Sequence, residues 1–144
     1  METHELTDGQ RQANQRFVEV AAKIRTDLSR ETIDDYLAAL VNVTFYSPVC
    51  QSDAGVEVFV TNFGGDATPL LPVFTSLDQY RAFETVMPAR FRPSVISSVA
   101  LCQMAVECFP PSATLASDPG QPGFLRVPPD LIRDVASAKW QPSN

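Results

Sequence analysis

Residues 69–83, PLLPVFTSLDQYRAF, pass from an apolar run straight into a helical pattern. Leu70 to Phe74 reads as a strand. Ser76 is placed to cap a helix, with Gln79 three residues on to reach back. Asp78 complements the positive end of that helix. Leu77, Tyr80, Phe83 and Met87 share one face, and Pro88 ends the helix. The junction either holds an α/β layer together or offers Thr75 or Ser76 as a nucleophile. A nucleophile elbow needs glycines around its serine, and the neighbours here are Thr75 and Leu77. The structural reading is preferred.

Upstream, Thr7 with Gln10 forms a capping box, and Phe17, Val20, Ala21, Ile24 and Leu28 follow at helical spacing. This predicts a helix over residues 8–27, of which only the second half need dock. Ser29 caps a second helix carrying Ile33, Tyr36, Leu37, Leu40 and Val41. Val43 to Cys50 is aromatic and β-branched, as strands prefer. Pro48 lacks a ladder donor, which places this strand at an edge or gives it an irregularity. After the turn at Gln51–Gly55, Val56, Val58 and Val60 share one face of a second strand, so the two runs form a hairpin. With Leu70–Phe74 they make a three-stranded meander.

Downstream, Pro93 or Ser94 opens a further helix with an inner stripe of Val95, Val99, Cys102, Val106 and Phe109, and Pro110-Pro111 stops it. Residues 113–117 and 124–127 read as strands around the turn cluster at 118–123. Pro128 and Pro129 suit the start of a last short helix. This mixture of helices and strands predicts an α+β domain: a mainly antiparallel five-stranded sheet with helices packed on it. The expected divisions are a helical extension over 1–28, the domain over 29–139 and a loose tail over 140–144.

The 144 residues suit a single core, and the 44% hydrophobic content is that of globular proteins. No apolar run reaches the roughly 20 residues that span a bilayer, and the polar N-terminus lacks a secretory pattern. A cytoplasmic protein without membrane insertion is expected. A net charge of −6 speaks against nucleic acid, whose binders supply clustered cations, and Arg90-Phe91-Arg92 reads as solvated arginines. Cys50, Cys102 and Cys108 match neither a disulfide framework nor a zinc site, and packing roles are expected for them. The single histidine, His4, lies in the polar N-terminal segment, which argues against a Ser-His-Asp or Cys-His site. Gly64-Gly65 lacks the spacing of a phosphate-cradling loop. No catalytic residue, metal or cofactor is therefore expected.

The helix-to-strand passage Tyr36–Val49, the phrase LLPVFTS at 70–76, the helix SLDQYRAF and the segment SDPGQPGFLRVPPDLIRDV at 117–135 together resemble the N-terminal domain of the SseB family. The resemblance spans about residues 31–138 and leaves the first helix outside. Asp118 stands where the family pattern carries Asn before the proline; both residues accept main-chain bonds in turns. The resemblance implies bacterial cytoplasmic domains without an established catalytic set.

The expected function is a non-enzymatic protein-interaction domain, with an unidentified protein partner or self-association. The expected partner surface joins Phe74 and Thr75 to Asp118, Pro119, Gly120 and Gln121 at one sheet end. A secretion chaperone or immunity-type protein binding a client is the alternative. A hydrolase using carboxylates ranks below both: Asp34 and Asp35 are adjacent on a helix and do not share a face, and no spacing selects another pair.

Overall fold

A computed structural model describes residues 6–24, 26–61, 69–109, 112–119 and 125–137. The chain begins with α1 (Asp8–Ile24) and α2 (Arg30–Asn42), then β1 (Thr44–Ser52), β2 (Gly55–Val58) and β3 (Leu70–Val73). After α3 (Leu77–Phe83) come β4 (Arg92–Ser97), α4 (Ser98–Cys108), β5 (Thr114–Ser117), β6 (Leu125–Val127) and α5 (Pro129–Ala136). The capping box closes α1: the Thr7 N–H donates to Gln10 Oε1 at 2.9 Å and the Gln10 N–H to Thr7 Oγ1 at 3.1 Å. Ser29, Ser76 and Ser97 cap α2, α3 and α4 by accepting from Thr32, Gln79 and Ala100. Each satisfies a main-chain donor that the first helical turn leaves without an intrahelical partner.

The strands do not form one five-stranded antiparallel sheet. Among the described residues there are two three-stranded sheets, an antiparallel one in the order β2-β1-β4 and a mixed one in the order β3-β5-β6. The expected meander fails at β3, which pairs in parallel with β5 from Leu70 opposite Thr114 to Val73 opposite Ser117. All four β3 residues are buried, as in strands covered on both faces.

Pro48 explains the split. The hairpin ladder ends where the Phe59 N–H donates to the Pro48 carbonyl at 3.1 Å. Proline has no N–H to return to the Phe59 carbonyl, so β1 and β2 part there. β3 and Phe74 after it occupy the opening, and single antiparallel bridges join them to β1 and to the chain just beyond β2. Phe74 exchanges main-chain bonds with Tyr46 at 2.8 and 2.9 Å, and Leu70 exchanges them with Thr61 at 2.8 and 2.9 Å. Pro48 therefore lies in the central strand of its sheet and marks an irregularity rather than an edge.

A second correction concerns residues 92–97, which were expected to open a helix. They form β4, paired with β1 from Val49 opposite Arg92 to Thr44 opposite Ser97. Val95 and Val99 fit a helical stripe in sequence, but β-branched Val95 and Ile96 gain a strand partner in Tyr46 and Phe45. The helix begins only after Ser97. On α4, Leu101, Cys102 and Ala105 are buried while Val106 is exposed, so the inner stripe is displaced from the expected one.

Alternation along β1 divides the core. Phe45 and Val49 join Phe17, Leu40, Leu71, Val73, Leu101 and Leu115 in the main cluster, against which α1, α2, α4 and α5 pack. Tyr46, on the opposite face, packs with Leu6, Phe74, Tyr80 and Met87. Phe74 sits at the junction of these structures, with its ring centroid 5.2 Å from Tyr80 and 5.5 Å from Phe83.

Candidate functional site

The β3–α3 junction and the end of β5 meet, as the sequence suggests. Parallel pairing of β3 with β5 carries Val73 beside Ser117, and the next residues face each other across the sheet end. The Asp118 N–H donates to the Val73 carbonyl at 2.8 Å. In return, the Thr75 N–H donates to Asp118 Oδ1 at 2.8 Å and the Thr75 hydroxyl to Oδ2 at 2.7 Å. Asp118 has φ of 48°, in the left-handed region that Asp and Asn tolerate better than most side chains. Pro119 beside it is buried. Gly120 and Gln121 lie outside the described residues.

A third segment locks this junction. Asn14 of α1 is 3% exposed; its amide nitrogen donates to the Thr44 carbonyl at 2.8 Å and to the Thr75 carbonyl at 3.0 Å. Its amide oxygen accepts from the Thr44 N–H at 3.1 Å. Asn14 thus ties α1 to the start of β1 and to the junction. In the sequence it is hidden by the polar residues around it in the first half of α1. It does fall three residues before Phe17 and seven before Ala21, on the backward extension of the buried stripe. A polar residue at such a position, where apolar side chains are expected, was the available signal.

Beside the junction runs a groove of about 550 Å³. Leu6, Val18 and Leu77 supply alkyl groups, and Gln15 and Gln79 supply side-chain amides. Thr75 lines the groove, whereas the Phe74 side chain is fully buried beneath it. Arg11 at the rim donates to the Leu6 carbonyl at 2.6 Å and pairs with Asp8.

Burial raises the pKa of Asp118 above the ordinary carboxylate value, against the opposing effect of its bonds to Thr75. A carboxylate whose folded pKa is raised contributes stability below its unfolded pKa and loses it as pH rises through the folded one. Asp118→Asn should therefore match or exceed wild-type stability at neutral pH and flatten the dependence above the acid range. The Asn carbonyl can still accept from the Thr75 N–H, and its amide can donate to the hydroxyl. Asp118→Ala leaves the Thr75 N–H unpaired and should cost about 1–3 kcal/mol. Urea titrations of both variants across the acid-to-neutral range would check the two signs together.

The other singled-out groups lie apart. Cys102 is buried, and desolvation pushes its thiol up to about 12, while Cys50 is half-buried and Cys108 exposed. The exposure of Cys108 departs from the packing role expected of it. Asp35 faces Arg16 at 3.9 Å and Glu57 faces Arg90 at 3.2 Å. Among the described residues no group of three or more His, Cys, Asp or Glu side chains gathers in a metal-holding arrangement. No helix among them is long and apolar enough to cross a membrane. His4 and Gly64-Gly65 lie outside the described residues.

These features define an α+β domain of two small sheets, pinned together at one junction beside an amide-rich groove. The chain belongs to the SseB protein N-terminal domain family, whose model matches residues 17–134. The match begins within α1, ahead of the resemblance visible from residue 31. Neither the curated proteins nor the solved structures yielded a match.

Proposed function

We propose that this chain is a non-enzymatic protein-interaction domain, acting in a bacterial cytoplasm, whose partner seats in the groove between α1 and the β3–α3 junction. The observation that carries this reading is the composition of the groove on a fixed floor. Alkyl groups of Leu6, Val18 and Leu77 line it together with the amides of Gln15 and Gln79, a mixture suited to a polypeptide's own side chains and main chain. Asn14 and the Asp118–Thr75 pair hold the floor, so a partner meets an ordered surface and ordering costs are low. In this reading Asp118 positions Thr75, and Phe74 supports the surface from beneath.

The test is affinity capture from a bacterial lysate, read by quantitative mass spectrometry, with wild type beside Val18→Asp and Gln15→Ala. Both positions are exposed, so the fold should survive the changes. A protein retained by wild type and lost with both variants is the expected result. Equal recovery on wild type, variants and blank matrix would sink the reading.

A further inference from the structure

The two outer edges of the β2-β1-β4 sheet differ. On β4, Pro93 stands opposite Pro48 and Val95 opposite Tyr46. Tyr46 directs its main-chain groups to Phe74, away from β4, so these are non-hydrogen-bonded pairs. The nitrogen of Pro93 therefore faces outward, where it has no hydrogen to offer, and this edge is blunted.

The β2 edge is not. Phe59 bonds inward to Pro48 and Thr61 inward to Leu70, so Val56, Val58 and Val60 turn their N–H and C=O groups outward. Among the described residues no strand lies on that side of β2. Val56 is 65% exposed there, a large apolar side chain on an unpaired edge.

We propose that two copies of this chain pair β2 against β2 in antiparallel fashion, across a two-fold axis centred on Val58. The register follows from the side chains. An axis centred on Glu57 would set two carboxylates opposite each other, which is unfavourable. One centred on Val56 runs into the hairpin turn at Asp53-Ala54. Centred on Val58, the outward main-chain groups of Val58 bond to their own counterparts, and Val56 meets Val60 of the second copy. Valines then face valines along one side of the seam, which joins the β2-β1-β4 sheets of the two copies into one of six strands. On the other side Glu57 faces Phe59 of the second copy.

That contact also brings charge complementarity. Phe59 packs on Phe91 at 5.3 Å, and the Arg90 guanidinium lies 4.7 Å above the Phe91 ring. Glu57 of one copy therefore arrives beside Arg90 of the other, and the reverse holds by symmetry. Within one copy Glu57 and Arg90 form an exposed pair at 3.2 Å. Exposed pairs contribute little, so exchanging it for the pair across the seam costs little.

This surface is separate from the α1 groove, and either assignment can fail alone. Sedimentation velocity of the full chain, run over a concentration series, tests it. The expected mass rises from 15.8 kDa toward twice that value. Val56→Pro removes an outward N–H that β1 does not use and should stay monomeric, as should Val56→Lys if the proline perturbs the hairpin. Glu57→Arg and Arg90→Glu should each be monomeric alone and form a heterodimer when mixed, since both pairs across the seam become complementary again. A wild type that remains monomeric throughout overturns the proposal. So does a dimer that survives Val56→Lys and both charge reversals.

Discussion

Phe74→Ala should lower the free energy of unfolding by about 3–5 kcal/mol, the cost of removing a large ring from a site that cannot collapse around the void. The side chain is wholly buried and is held between Tyr80, Phe83 and the rest of the second cluster. Its main chain cannot move to close the gap, because both of its hydrogen-bonding groups are engaged with Tyr46. Urea unfolding followed by fluorescence and by circular dichroism would measure the loss. Val86→Ala, at an exposed position, should change stability by less than about 0.5 kcal/mol and serves as the reference. A loss of similar size for Phe74→Ala would place the ring outside the core and remove the support assigned to the groove.

Asn14→Ala should cost about 3–4 kcal/mol, because it strands buried polar groups on two segments at once. The Thr44 N–H and C=O and the Thr75 carbonyl all lose their Asn14 partner. Asn14→Asp separates geometry from donation. It keeps an acceptor for the Thr44 N–H but sets a second oxygen against two carbonyls, so at neutral pH it should destabilise at least as much as alanine. Hydrogen exchange adds a local reading: amides in α1 and at the start of β1 should exchange faster in Asn14→Ala, with those of α5 changed least. Uniform acceleration throughout the chain would mean that Asn14 contributes only to global stability and does not pin α1 to the junction.

Both effects concern contacts between distant segments, and that separates what could be read in the sequence from what could not. The caps at Thr7, Ser29 and Ser76 were legible, because each bond closes within three residues and depends on local geometry alone. The β1–β2 hairpin was legible for the same reason, its turn being short and closed by Gly55 at φ of 124°, a conformation glycine adopts freely. The meeting of the β3 end with Asp118 was partly legible from the family phrases. The bonds that make it, 43 positions apart, were not.

The pattern misled at residues 92–97, where a β-branched run also satisfied helical spacing. Local preference was nearly balanced there, and the free side of β1 decided the outcome. The choice of partner for β3 was likewise hidden: four consecutive apolar residues state that both faces are covered but not which strand lies alongside.

By itself the sequence determined an α+β chain whose helices at Thr7, Ser29 and Ser76 are capped where they begin, a hairpin at 44–58, and membership of one family. These depend on periodicity, caps and turns, whose energies act within a few residues. The tertiary structure alone decided that the strands divide into two sheets at Pro48, that β4 replaces the start of a helix, and that Asn14 and Asp118 close the junction. Those outcomes depend on which distant main-chain groups find partners once the core excludes water, and a hydrogen bond lost in that setting outweighs the fractions of a kcal/mol that separate most residues' local preferences.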